Sequence, residues 1–86
     1  MIASKEEILS HLCYTELVYG RINKKLQTNM SNEEIEELMS KVIKNSREQS
    51  FQKIGKNYYI SNEQYNIIIT INSYTFRVIT VDKLCK

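Results

Sequence analysis

The chain of 86 residues contains no proline and no tryptophan, and it has two glycines, two cysteines and one histidine. A loop that cradles phosphate with its backbone is built from several glycines, so Gly20 and Gly55 give little material for one. Cys13 and Cys85 show neither metal-ligand spacing nor a CxxC motif. We therefore expect no disulfide framework, no metal site and no cofactor.

Long apolar runs are also missing from the sequence. No stretch is long enough to cross a bilayer, and the N-terminus lacks the basic start and apolar run of a signal peptide. We expect a cytoplasmic protein with no membrane partner. At this length, residues 1–86 should form a single domain around one hydrophobic core.

Charge is distributed unevenly along the chain. Residues 1–40 contain four Lys or Arg and seven Glu, whereas residues 41–86 contain eight Lys or Arg and three acidic residues. The second half is therefore basic by five charges. This bias permits an anionic partner such as RNA, but a soluble protein with a mixed surface gives the same pattern.

A long β-hairpin is predicted over residues 65–81, which read YNIIITINSYTFRVITV. Apolar and polar residues alternate on both sides of Asn72 and Ser73, and Asn readily adopts the positive φ that a tight turn requires. A two-residue turn would pair Ile71 with Tyr74. That register predicts one apolar face for the core and one mixed face for solvent.

The mixed face of this hairpin is the predicted binding surface. The register places Thr70, Thr75 and Arg77 there, and it places Thr80 on the apolar face. A guanidinium on a rigid strand suits phosphate because it is a planar, permanently charged fork of donors.

Two helices are predicted to precede the sheet. Capping-box patterns at residues 4–7 and 31–34 mark their starts, and the first should continue to about Leu26. Short strands are predicted at residues 51–54 and 57–61. This order predicts an α+β domain, with two N-terminal helices packed on one face of a three- or four-stranded antiparallel meander sheet.

Basic residues and tyrosines surround the turn between the first two predicted strands. Lys53 and Lys56 lie beside it, and either Tyr58 or Tyr59 must face outward because neighbours in a strand alternate. Cations with an exposed aromatic ring are typical of proteins that bind single-stranded RNA on a sheet. In the alternative interpretation, the two tyrosines straddle a sheet edge and Arg77 pairs with a glutamate. The predicted binding residues are Arg77, Thr75, Thr70, Lys53, Lys56 and Tyr58.

The single histidine, His11, lies on the flank of the first predicted helix. No Ser-His-Asp order, HExxH motif or pair of catalytic carboxylates accompanies it. An imidazole in this position is usually a surface or boundary residue, and a general base is the alternative interpretation.

Three segments resemble one protein family. They are LCYTELVYGRINKKL (residues 12–26), GKNYYI (55–60) and ITINSYTFRVITVDK (69–83), and they are similar to the bacterial domain of unknown function 3781 family over nearly the whole chain. The resemblance implies a cytoplasmic bacterial protein and supplies no activity. Gly20 departs from the family pattern, in which a charged residue is expected before Arg21.

The layout also looks like that of the small ribonuclease toxins of the RelE and barnase-like grouping. The shared features are a first helix with an early His and an Arg, a second helix that opens Ser-x-Glu-Glu, a G-K-x-Y-Y strand and a terminal R-V-I-T strand. This likeness implies metal-independent RNA cleavage by basic and polar side chains on the sheet. The positions that it implies are His11, Arg21, Lys56, Arg77 and Thr80.

Two functional hypotheses follow. In the first, the protein binds RNA or another anionic ligand through the polar face of the sheet, with or without cleavage. In the second, it is a non-catalytic interaction module: an antitoxin-like partner, a phage-encoded inhibitor or a homodimer formed by pairing of strand edges. The sequence leaves open whether the protein is an enzyme.

Overall fold

The computed structural model describes residues 4–84 and contains three α-helices followed by four β-strands. Cys85 lies outside the described residues. The helices are α1 (Lys5–His11), α2 (Glu16–Leu26) and α3 (Asn32–Asn45). After a 3₁₀ turn at Glu48–Ser50, the strands are β1 (Phe51–Ile54), β2 (Asn57–Asn62), β3 (Ile67–Asn72) and β4 (Val78–Lys83).

The predicted α+β meander is confirmed, with four strands and with one helix more than expected. The strands lie in the order β1-β2-β3-β4, and each is antiparallel to its neighbour. The predicted single helix up to Leu26 is two helices, because Leu12 leaves the helical conformation (φ −58°, ψ 129°). Cys13 then pairs with Arg77 in a parallel β-bridge.

The chain between α1 and α2 covers one edge of the sheet. The Cys13 amide donates to the Phe76 carbonyl (3.0 Å), and the Val78 amide donates to the Cys13 carbonyl (2.9 Å). Further along the same edge, Arg21 Nη1 donates to the Ile79 carbonyl (3.3 Å). These bonds pair backbone groups of β4 that would otherwise be exposed at an open edge.

The core lies between the helices and one face of the sheet, which we call the helix side. α3 buries an apolar stripe at helical spacing, and its N-terminus is a complete capping box between Ser31 and Glu34, as predicted. From the sheet, alternate side chains of β2, β3 and β4 complete the core, as strand geometry requires. The apolar residues that are no more than 5% exposed are Ile8, Val18, Ile22, Ile35, Met39, Val42, Ile43, Phe51, Tyr58, Ile60, Ile67, Ile69, Ile71, Val78 and Val81.

A tyrosine–glutamate hydrogen bond joins α2 to α3. The Tyr19 hydroxyl donates to Glu36 Oε2 (2.6 Å), and this bond is the main reason that the pKa of Tyr19 is raised to about 12. The ring of Tyr14 stacks on that of Tyr19 at a centroid distance of 5.6 Å. Burial raises the pKa of Tyr14 as well, so both phenols are neutral at physiological pH.

The β3–β4 connection is longer than the predicted two-residue turn. The Asn72 amide donates to the Arg77 carbonyl (2.9 Å), which leaves residues 73–76 as the loop, with Phe76 at a positive φ of 57°. The Asn72 side chain accounts for this length, because its Oδ1 accepts from the amides of Tyr74 (2.8 Å) and Thr75 (3.0 Å). A side chain that caps two loop amides favours a wider loop over a tight turn.

The longer loop changes the register of the hairpin. Thr70 lies opposite Thr80 and Ile71 lies opposite Val78, so the chain bulges at Ile79. The predicted pairing of Ile71 with Tyr74 is therefore wrong. The predicted placement of Thr80 on the apolar face is also wrong, because Thr80 shares the face of Thr70, opposite to the core.

Candidate functional site

The sheet face opposite to the core, here called the outer face, is mostly neutral. The register aligns Tyr59, Thr70 and Thr80 in one row across three strands. The next row contains Ile68 and its partner Asp82. Within β1 to β4 the only charge on this face is therefore a carboxylate, which makes the face a poor surface for phosphate.

The lysines of the strands lie on the helix side instead. Lys53 is opposite Tyr58, and Lys83 is opposite Ile67. Both partners are core residues, each 5% exposed, and paired residues in antiparallel strands share a face. Both lysines are exposed because they lie at the margins of the core.

Tyr58, a predicted binding residue, is part of the core. Its side chain is 5% exposed, and its ring centroid lies 6.3 Å from that of Phe76. A ring buried in this way cannot stack on a base, so the placement of Tyr58 on a binding surface is wrong. The neighbouring Tyr59 is the one that faces outward, and it is half-buried on the outer face.

Three segments meet at one end of the sheet, here called the loop end: residues 11–15, the β1–β2 turn at Gly55 and Lys56, and residues 73–77. The Ser73 amide donates to the Lys56 carbonyl (2.8 Å), which ties the turn to the β3–β4 loop. The ring of His11 lies 5.5 Å from that of Phe76. With the Cys13 bridge, these contacts bring all three segments together.

The loop end presents three exposed cations, Lys53, Lys56 and Arg77. Across residues 4–84 the one ion pair within 4.0 Å is Lys25–Asp82 (3.0 Å), so none of the three has a carboxylate partner. The alternative in which Arg77 pairs with a glutamate is therefore not what the structure shows. Their charges remain available to a ligand.

An exposed aromatic residue, Tyr74, lies in the β3–β4 loop. It is 71% exposed, and Ile54 at the end of β1 is 61% exposed. Large apolar side chains exposed together often indicate an interaction surface. The sequence prediction missed Tyr74, because the two-residue turn placed this residue on the apolar face. An aromatic residue within a loop sequence is the signal that could have identified it.

Both ends of the sheet carry charges of both signs. Glu63, in the β2–β3 turn, and Asp82, near the end of β4, lie at the far end of the sheet from Lys56 and Arg77. Lys83 and Lys25, the partner of Asp82, lie at that far end too. The first turn of α2 adds Glu16 near the loop end.

The five positions implied by the ribonuclease likeness fall into two groups. His11, Lys56 and Arg77 are at the loop end. Thr80 is in β4, and Arg21 lies beside the edge of that strand, where it donates to the Ile79 carbonyl. His11 Nδ1 lies 3.1 Å from the Glu7 carbonyl and 3.1 Å from Ser10 Oγ. The structure does not gather the five residues into one catalytic arrangement.

The predicted binding residues are likewise divided. Thr75 is exposed at the loop end, where its hydroxyl donates to Asn72 Oδ1 (3.3 Å), together with Arg77, Lys53 and Lys56. Thr70 is 8% exposed at the centre of the outer face. Four of the six predicted residues are therefore exposed at or near the loop end.

Within residues 4–84, no three His, Cys, Asp or Glu side chains lie close enough together to hold a metal ion. None of the helices in that range has the length and apolar character that crossing a membrane requires.

Comparisons with known proteins place this α+β domain in a family. The family model described as "Protein of unknown function (DUF3781)" matches residues 6–82. The chain therefore belongs to the domain of unknown function 3781 family, as its sequence predicted. The comparison with curated proteins gives no match, and neither does the comparison with solved structures. The likeness to ribonuclease toxins gains no support from them.

The orientation of the two tyrosines can be tested by substitution. We expect Tyr58→Ala to lower the free energy of unfolding by about 3 kcal/mol or more, because it removes a buried ring from the core. Tyr59→Ala is the matched control and should cost less than about 1 kcal/mol. Urea unfolding followed by circular dichroism measures both, and equal losses would contradict this assignment of the faces.

Proposed function

We propose that the protein binds single-stranded RNA at the loop end of its sheet. One observation carries the proposal: Lys53 and Lys56 of the β1–β2 hairpin and Arg77 before β4 are exposed without carboxylate partners among residues 4–84, and Tyr74 is exposed in the loop whose Ser73 bonds to Lys56. The proposed surface keeps Arg77 from the predicted site and extends it to the cations and the exposed ring of the loop end.

The cations supply the electrostatic part of the interaction. Lysine and arginine side chains that neutralise phosphates release the counterions condensed around the nucleic acid, and this release is a large part of RNA affinity. Arg77 adds geometric specificity, since its planar fork can make two parallel hydrogen bonds to one phosphate.

The exposed aromatic ring favours an unpaired strand over a duplex. Bases stack on aromatic side chains when they are free of a partner strand, and each stacked base contributes about 1–3 kcal/mol. Tyr74 lies between Lys56, whose carbonyl holds Ser73, and Arg77, which follows the loop. This order along the loop end matches alternating contacts to phosphate and base.

The extent of the loop end suits a polyanion better than a small anion. Lys56 precedes β2 and Arg77 precedes β4, so two strand spacings, roughly 10 Å, separate them. Successive phosphates of one strand can contact the two side chains separately. The proposal is for binding and not cleavage, because the candidate catalytic residues are divided between two surfaces.

The charge contribution can be tested with a labelled 12-nucleotide oligouridine in fluorescence anisotropy titrations at several salt concentrations. Lys56→Gln and Arg77→Gln should each weaken binding severalfold. Each should also reduce the slope of log affinity against log salt by about 0.7, since each removes one phosphate contact. Lys41→Gln, which removes one exposed charge from α3, is the matched control and should change neither quantity.

The aromatic contribution has a different signature in the same titrations. Tyr74→Ala should weaken binding by about fivefold or more while leaving the salt slope unchanged, because stacking involves no counterion release. Absence of salt-dependent binding by the unmodified protein would contradict the proposal. An equal loss in Lys41→Gln would also contradict it, since net charge and not the loop end would then govern affinity.

A second candidate function, a homodimer formed by strand pairing, is favoured by the difference between the two sheet edges. The edge of β4 is covered by Cys13 and Arg21, whereas β1 has no strand on its outer side among residues 4–84. Ile54 is 61% exposed there. One feature of β1 opposes such pairing: it is a short edge strand that carries Lys53, and lysines on short edge strands usually prevent pairing with another chain.

Light scattering coupled to size-exclusion chromatography distinguishes this candidate from RNA binding. Pairing through β1 requires a dimer whose stability falls in Ile54→Lys. Leu17→Lys, which changes a still more exposed apolar residue on α2, should leave the dimer intact. A monomer at all concentrations excludes the dimer, and it leaves the RNA titrations unaffected.

A further inference from the structure

A cleft opens at the end of the sheet opposite to the loop end. Its volume is about 630 Å³, and it lies between the C-terminus of α2, the middle of α3, the start of β3 and the end of β4. Leu26, Leu38, Tyr65 and Ile67 give it apolar walls. The volume lies within the range of small-molecule sites, which combine apolar walls with a few polar groups.

Two lysines, Lys25 and Lys83, line the same cleft. Lys25 Nζ lies 3.0 Å from Asp82 Oδ1, so this lysine already has a carboxylate partner. Lys83 has no carboxylate within 4.0 Å among residues 4–84, and its pairing with Ile67 places it on the cleft side of the sheet. The cleft therefore joins an apolar surface to one uncompensated positive charge.

We propose that this cleft binds a small amphipathic monocarboxylate. Its hydrocarbon part packs against Leu38 and Ile67, where each methylene group removed from water contributes about 0.8 kcal/mol. Its carboxylate accepts from Lys83 in a charge-assisted hydrogen bond. Lys25, which also lines the cleft, is engaged by Asp82, so Lys83 is the cation that remains for the carboxylate.

This site is separate from the proposed RNA surface. Lys83 and Ile67 lie at the far end of the strands from Lys56 and Arg77. A ligand in the cleft can therefore be tested without occupying the loop end, and failure of either proposal leaves the other intact.

The experiment is a titration of the full-length protein with decanoate below its micelle concentration, followed by ¹H–¹⁵N NMR. We expect saturable shifts at the amides of Leu38, Ile67 and Lys83. Decanol and acetate are the matched probes, since decanol lacks the charge and acetate lacks the chain. Both should bind at least about tenfold more weakly than decanoate.

Three substitutions assign the binding to the cleft. Lys83→Gln should weaken decanoate binding about tenfold, because the carboxylate loses its cation. Asp82→Asn should strengthen it, because Lys25 becomes a second free cation beside the cleft. Lys53→Gln removes an exposed lysine near the loop end and should have no effect.

Several outcomes would overturn the proposal. They are shifts that do not saturate, shifts confined to residues outside the cleft, equal binding of decanol, or unchanged affinity in Lys83→Gln. All variants change exposed or half-buried side chains, and circular dichroism confirms that each is folded before it is titrated.

Discussion

The architecture depends on the backbone of one residue, Cys13. Its amide and its carbonyl bond to the chain on either side of Arg77, so the segment after α1 pairs with the start of β4 and cannot continue as a helix. α2 then starts at Glu16 and runs beside β4, where Arg21 reaches the Ile79 carbonyl. A single β-bridge thus divides the first helix, closes one sheet edge and brings a third segment to the loop end.

The two ends of the sheet have different physical character as a consequence. The loop end combines unpaired cations with the exposed Tyr74, because short turns leave their side chains in solvent. The other end combines the apolar walls of a cleft with Lys83. The two proposals assign a different ligand to each end, a nucleic acid strand to the loop end and an amphipathic small molecule to the cleft.

The features that could be predicted from sequence are those encoded locally. The capping box at Ser31 and the strands predicted at residues 51–54 and 57–61 each follow from a few neighbouring residues, and the structure agrees, with the second strand one residue longer. The family membership followed from similarity along nearly the whole chain, and the family model confirms it. The Cys13 bridge could not be predicted, because its partner lies 64 positions away and no side-chain pattern marks it. The hairpin register failed for a smaller reason: Asn72 uses its side chain to cap a longer loop. The longer loop exposes Tyr74, which the predicted register paired with Ile71, and it moves Thr80 to the outer face.

Amide hydrogen exchange at Cys13 and Val78 tests the central claim most directly. If the backbone of Cys13 closes the edge of β4, both amides are hydrogen-bonded and exchange at least about a hundredfold more slowly than the same amides in an unstructured peptide. They should also lose protection together when urea is added. Rapid exchange at both amides while the other amides of the sheet remain protected would mean that the connector does not pair with the sheet, and would contradict the account.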